Sequence, residues 1–470
     1  MLEPGGVLSK IVAATRADLA RRYGGASIDE VSRGASASNL SLTQVLKQKG
    51  ARFIFELKRA SPSGGALRQN ADAAAIAAAY RSSADAISVL TERRYFGGSV
   101  SDLAAVRANF DGPILAKDFV IDPRQVAEAR RYGADAILVM LSVLEDAEAA
   151  AIMRAARSLN MEALVEVHDA REMQRARRLG AGLIGINNRD LKTLRVDLAL
   201  TPALAPLAPA GAVLVCESGI GSRNDVERLS PYVDAFLVGS ALMRRDCPGE
   251  GARELAYGRV KICGLTDEHD AALACEAGAS FAGVVFAPGS SREISLDQAA
   301  PILARVRQAK ARSVGVFRDQ PLAHVIDAAR TLQLDVVQLH GHEDQNYIAS
   351  VRRAVEEASE VWTVSAVGDV AAPARGGDRS VFDAQAGRRC GGAGKRFDWA
   401  LLQGRSDLET GVLAGGIGPD TARAAQRVGA YAIDLCSGVE AAPRRKDPAK
   451  LKALFGALRP PSRIEAAPIC

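Results

Sequence analysis

The chain is 470 residues long, 48% apolar and 24% charged, with a net charge of +5. That composition belongs to a globular protein of two or more domains, and a mild charge without a long Lys/Arg block argues against a nucleic-acid surface. No apolar run reaches the roughly 18 residues of a membrane span, and seven cysteines without a Cys-x-x-Cys pair argue against a disulfide framework or a structural zinc site.

The first stretch, "VLSKIVAATRADLARR", is broken by Lys10, Arg16 and Asp18, unlike a signal peptide, and reads as an amphipathic helix of a cytoplasmic protein. Short β-rich runs then alternate with Ala/Arg-rich stretches of helical spacing: "FIFELK", "AISVLT", "PILAKD", "AILVML", "ALVEVH", "LIGINN", "AVLVCES" and "AFLVGS". Eight strand–helix units predict parallel strands with right-handed crossovers, the (β/α)8 count. After Pro248, Gly249 and Gly251 the count begins again, with "RVKICG", "AGVVFA", "SVGVFR", "VVQLHG", "VWTVSA", "SVFDAQ", "GVLAGG" and "YAIDLCS". The expected fold is therefore α/β, two tandem (β/α)8 TIM barrels over 1–256 and 257–457, with 458–470 as a flexible tail.

Chemistry in such a barrel sits at the carboxyl ends of the strands. In the first set these ends carry Glu56 and Lys58, Lys117, Glu166, Asn187 with Arg189, Glu217 with Ser218, and Gly239-Ser240. Glu56 and Lys58 share a strand face, which alone would be an ion pair, but five strands aiming ionisable groups at one rim point to an active site. "ESGIGS" with "VGSALM" places Gly219, Gly239 and Ser240 where barrels of this kind hold phosphate on backbone N–H groups, and Gly415, Gly416, Ser437 and Gly438 repeat the arrangement in the second set. Tandem barrels that only bind a phosphorylated ligand would keep these glycines but would not need the acids and bases. His340-Gly341-His342 has no nearby cysteine or third histidine, so neither a metal nor a cofactor is expected.

The motifs "FELKRASPSGG", "VLTERRYFGGS", "ILAKDFVID", "LVEVHDA", "GINNRDL", "ESGI" and "LVGSALM" resemble indole-3-glycerol-phosphate synthase over residues 1–256. "VKICGLT", "VGVFRD", "VQLHG", "FDAQAGRRCGGAGKRFDW", "LAGGI" and "CSGVE" resemble phosphoribosylanthranilate isomerase over 257–457. A histidine-pathway isomerase runs the same sugar rearrangement with paired aspartates, whereas here the first strand of the second set ends in Cys263. The resemblance implies that the second barrel acts first, with Cys263 as base, Asp383 as acid and Arg292 on the anthranilate carboxylate. Lys261, two residues before Cys263, is expected to bring its thiol pKa toward neutrality. In the first barrel it implies Lys117 as general acid and Glu166 in the later proton transfers, with Glu56 and Lys58 orienting and neutralising groups at the reacting centre. Asn187 and Arg189 would hold the ring substituents, Glu217 and Ser218 would line the wall, and Ser61, Gly219, Gly239 and Ser240 would take the phosphate. Gly64 and Thr363 stand where many relatives carry lysine, which predicts a weaker phosphate grip and an altered fifth strand. The expected partners are small phosphorylated anthranilate-sugar substrates, with no nucleic acid or membrane, and the chain is expected to be a monomer.

Overall fold

The computed structural model describes residues 6–355, 358–386, 389–390 and 396–465. The chain divides into two compact units, Met1–Ala256 with Pro460–Cys470, and Tyr257–Arg459. Residues 387–388 and 391–395 of the motif "FDAQAGRRCGGAGKRFDW", and 466–470 of the expected tail, lie outside the described residues.

In the first unit the parallel strands are β1 (Arg52–Leu57), β2 (Ala86–Leu90), β3 (Ile114–Lys117), β4 (Ala136–Met140), β5 (Glu162–Val167), β6 (Leu183–Asn187), β7 (Val213–Glu217) and β8 (Ala235–Val238). Each pairs with its sequence neighbour, and β8 returns to β1 with Phe53 opposite Phe236, closing the ring. Strand periodicity sorts the side chains. Ile54 points inward to Leu115, Leu138, Leu164, Val215 and Leu237. Phe53 and Phe55 leave the other face, to stack on Phe236 at 5.9 Å and to meet Tyr80 at 5.4 Å. Each such buried ring contributes about 1.5–3 kcal/mol.

Helices begin where the sequence supplies an acceptor. The Asp72 carboxylate accepts from the N–H groups of Ala74 and Ala75, and Ser222 and Ser295 form capping boxes with Asp225 and Gln298. Such caps stabilise a helix end by about 1 kcal/mol. The expected first helix spans Val7–Tyr23, and its Ile11 and Val12 join the cluster inside the ring.

The end of the chain departs from the flexible tail expected of it. Residues 460–465 lie along the first barrel: Ala51 N–H donates to the Pro460 carbonyl at 2.7 Å, and Gly50 N–H to the Glu465 carboxylate at 2.6 Å. Arg463 N–H donates to the Val233 carbonyl at 3.1 Å, and its guanidinium meets Asp234 at 3.0 Å. Composition suggested fraying because no apolar pattern runs through the segment, but backbone hydrogen bonds and a buried carboxylate hold it instead.

In the second unit the strands are β9 (Val260–Ile262), β10 (Phe281–Val285), β11 (Arg312–Phe317), β12 (Val336–Leu339), β13 (Glu360–Val367), β14 (Arg379–Ala386), β15 (Val412–Leu413) and β16 (Ala432–Leu435). β9 pairs with both β10 and β16, so this ring also closes. Val314, Val336, Trp362, Val364, Val381 and Ala432 fill it, with Phe281 edge-on to Trp362 at 5.1 Å. Both rings are thus parallel (β/α)8 barrels.

Candidate active sites

The carboxyl ends of β1 to β8 surround a cavity of about 360 Å³, within the range of small-molecule sites. Glu56, Lys58, Ser61, Lys117, Glu166, Asn187, Arg189, Ser218, Gly219, Gly239 and Ser240 all line it. Glu217 is not on its wall but lies fully buried behind Lys117.

Charge organises this mouth. The Lys117 ammonium stands 2.5 Å from Glu217, 3.6 Å from Glu56 and 4.0 Å from Glu166. Lys58 meets Glu56 at 2.6 Å, so the pair on one strand face is both an ion pair and part of the cavity wall. Two glycines make the crowding possible. A Cβ on Gly185 would fall 2.0 Å from the Glu217 carboxylate, and one on Gly239 would fall 2.5 Å from that of Glu56. Ser218 turns the chain at the end of β7 with a left-handed φ of 64°, a conformation that costs a non-glycine residue energy and recurs at active sites.

These contacts set the protonation states. Burial alone would lower the Lys117 pKa, but Glu217, Glu56 and Glu166 outweigh it and keep the side chain charged well above its ordinary range. Burial would raise Glu166, yet His168, then Lys117 and Asn187, hold it below the usual carboxylate value. Glu217 goes the other way: burial, reinforced by Glu166 and Glu56, pushes it up against the pull of Lys117. Neighbouring carboxylates with divergent affinities suit proton transfer in two directions.

Several residues of this mouth escaped the sequence reading. His168 bridges Glu166 at 3.3 Å and Glu172 at 3.1 Å; burial disfavours its charged form, but the two carboxylates carry its pKa up to about 10. Asp118 lines the cavity and accepts from the Thr91 hydroxyl at 2.6 Å; burial raises it to about 6. Leu8, Ile11, Phe96 and Phe119 supply an apolar wall, and Arg244 stands at the rim. The sequence signalled His168, one residue past β5, and Asp118, one past β3; only the fold reveals the others.

In the second ring, Cys263 directly follows β9 and Asp383 lies near the end of β14, both buried and facing the interior with Val285 and Val381. His340 reaches Asp383 at 3.6 Å. Arg292 is held by Glu440 through Nε at 2.8 Å and Nη2 at 2.5 Å, a bidentate clasp that sequence spacing did not reveal. The glycine clusters after β15 and β16 meet: Gly415 and Gly416 take φ of 87° and 63°, and a Cβ on Gly438 would fall 2.0 Å from the Ile417 carbonyl, while Ser437 begins the short turn leading to it. Among the described residues no group of three or more His, Cys, Asp or Glu could hold a metal ion.

Two expectations for this ring change. Lys261 does share a face with Cys263, but its ammonium pairs with Asp434 at 2.7 Å. Burial therefore dominates at Cys263, and its thiol pKa lies above the ordinary value despite the pull of Lys261. Thr363 lies between Trp362 and Val364, which face inward, so it points out of the barrel against Gly377. Its departure from the lysine of many relatives does not reach the mouth.

Comparison with known proteins fits this two-ring geometry. Residues 8–255 match the family model of indole-3-glycerol phosphate synthase, and 260–457 match that of N-(5'-phosphoribosyl)anthranilate isomerase. The tryptophan biosynthesis protein TrpCF of Vibrio parahaemolyticus is 42% identical over 459 residues, covering 96% of this chain and 94% of that protein. The chain belongs to the bifunctional TrpCF family. The TrpCF protein of Yersinia pestis is 44% identical over 87% of this chain and 84% of its own length, and that of Salmonella typhi 43% over 87% and 90%. As a TrpCF protein this chain catalyses two consecutive steps of tryptophan biosynthesis. Its carboxyl-terminal barrel isomerises N-(5'-phosphoribosyl)anthranilate to 1-(2-carboxyphenylamino)-1-deoxyribulose 5-phosphate, and its amino-terminal barrel closes the indole ring with loss of carbon dioxide and water.

Proposed function

We propose that Lys117 is the general acid of ring closure and that the carboxylates around it divide the remaining proton transfers. The observation that carries this reading is the ion cluster itself: one ammonium within 4.0 Å of Glu56, Glu166 and Glu217 at the bottom of the cavity. Lys117 holds its proton throughout the neutral range, the state a donor needs. It gives that proton to the ketone oxygen as the ring carbon attacks; carbon dioxide then leaves, and the new hydroxyl takes a second proton from the recharged Lys117 and departs as water while Glu166 removes a proton from the former C1 methylene, which leaves the indole double bond. Glu56 and Lys58 orient the reacting centre, Glu217 returns the proton to Lys117, and Asn187 and Arg189 hold the ring substituents beside Ser218. Ser61, Gly219, Gly239 and Ser240 take the phosphate.

In the isomerase barrel Asp383 protonates the ribose ring oxygen as the bond from that oxygen to C1 breaks, Cys263 removes the C2 proton, and the resulting enolamine gains a proton at C1 and loses its hydroxyl proton to become the ketone. Arg292 holds the anthranilate carboxylate, and Gly415, Gly416, Ser437 and Gly438 bind the phosphate. The chain needs no metal or cofactor for either step and works as a monomer in the cytoplasm on these small substrates, with neither nucleic acid nor membrane as partner.

The test is to supply purified protein with phosphoribosylanthranilate alone, first as wild type and then with Lys117→Ala or Cys263→Ala. Wild type yields indoleglycerol phosphate and carbon dioxide, Lys117→Ala stops at the deoxyribulose phosphate, and Cys263→Ala leaves the substrate unchanged. Retained ring closure in Lys117→Ala would refute the assigned acid.

A further inference from the structure

The cations of the first mouth fall into two groups. Lys58 and Lys117 are matched by carboxylates. Two further guanidinium groups line the cavity with no carboxylate partner among the described residues: Arg189, which donates only to the Leu194 carbonyl at 2.9 Å, and Arg244, which follows the glycine-rich end of β8 and is exposed at the rim without a hydrogen-bond partner there. They are close enough that burial and then the charge of Arg244 disfavour the protonated form of Arg189. Two like charges lining one cavity are stabilised when each meets an anion, and with Arg189 assigned to the ring substituents, Arg244 is left for the phosphate.

The position of Arg244 depends on the loop after β1. A Cβ on Gly64 would fall 2.7 Å from Arg244 Nη2 and 2.8 Å from Ser61 Oγ, so the bare glycine leaves the space in which the guanidinium lies beside the Ser61 hydroxyl. Arg68 of the same loop donates to the carbonyls of Met243, Arg245 and Asp246, which ties the segment bearing Arg244 to that loop. The backbone at Gly64 does not take a positive φ, so its missing side chain, and not its flexibility, is what the site uses.

We propose that Arg244 is a phosphate-binding residue of the synthase site, seated over Gly64, and that it supplies a charged contact to the phosphate monoester of the deoxyribulose substrate. The inference rests on the synthase reading of this mouth and adds a residue to it. It also reinterprets Gly64: the absence of a side chain there admits a cation from the segment after β8, the neighbouring strand of the ring.

The experiment gives the purified full chain 1-(2-carboxyphenylamino)-1-deoxyribulose 5-phosphate directly and measures KM, kcat and competitive inhibition by inorganic phosphate. In Arg244→Ala the KM and the phosphate inhibition constant rise together, each about tenfold, as expected for a lost charge-assisted contact. Arg244→Lys recovers part of the loss. Gly64→Ala, whose methyl displaces the guanidinium, reproduces the direction, and the double variant is no worse than Arg244→Ala alone. An unchanged kcat for ring closure and an unchanged urea-unfolding transition of each variant report that the first barrel is folded. An unchanged KM in Arg244→Ala, or a raised KM with unchanged phosphate inhibition, overturns the proposal while leaving the synthase reading intact. Failure of the wild type to close the ring removes the reading itself.

Discussion

At the mouth of the first barrel one ammonium, Lys117, faces three carboxylates, whereas the second barrel sorts its charges into smaller groups: Lys261 with Asp434 and His340 with Asp383 as couples, and Glu440 between Arg292 and Lys446. The first arrangement concentrates energetic consequence in a single side chain, because removing Lys117 leaves the fully buried Glu217 without a cation, while Glu56 keeps Lys58 and Glu166 keeps His168. The second spreads it, and its base, Cys263, belongs to none of the couples. Activity and stability should therefore be linked in the first barrel and separable in the second.

The largest expected effect is at Lys117. Lys117→Ala lowers ring closure by roughly a hundredfold or more and the stability of its barrel by about 3–5 kcal/mol, with isomerase activity retained. Separate assays and urea unfolding check this, and an unaltered unfolding midpoint would break the proposed link. Cys263→Ala lowers the isomerase by a similar factor but removes no charge, so stability shifts by about 1 kcal/mol and ring closure is untouched.

Acidity sharpens the contrast. Because burial holds the Cys263 thiol above its ordinary value of 9.0, the thiolate is still accumulating at that pH, and isomerase kcat/KM should still be rising there while that of the synthase is not. In the first barrel, His168 has a folded pKa of about 10 against an ordinary 6.5, so its stabilising contribution is complete below 6.5 and disappears as pH rises through 10. The gap in thermal midpoint between wild type and His168→Asn should accordingly be widest in mild acid and close by pH 10; a gap that persists would assign His168 a packing role. The smallest effect is at Thr363, where Thr363→Val should leave isomerase kinetics within about twofold, since the side chain points away from the mouth.

How much of this was legible from sequence follows from range. The strands could be read because period two and β-rich composition are local, and the mouth residues could be read because parallel topology makes every strand end converge. What long side chains do across the barrel was not legible. That Lys261 would turn to Asp434 on β16, that Glu440 would clasp Arg292, and that Arg244 would lie over Gly64 are contacts between residues 148 to 180 positions apart. Neither spacing nor propensity encodes such reach. The strap at 460–465 was missed for the same reason, since its partners at Gly50, Ala51, Val233 and Asp234 lie far upstream.

That strap has a consequence for biogenesis and for any attempt to separate the two barrels. Translation completes the first barrel's own strands some two hundred codons before it delivers Pro460, Arg463 and Glu465, so the nascent barrel must stand on the ribosome without them and is sealed only when the second barrel has been made. A gene split between the two barrels would separate the first from its own last strap. Reconstituting the halves as independent proteins would then require grafting residues 460–465 onto the first, or accepting a synthase that has lost this bracing.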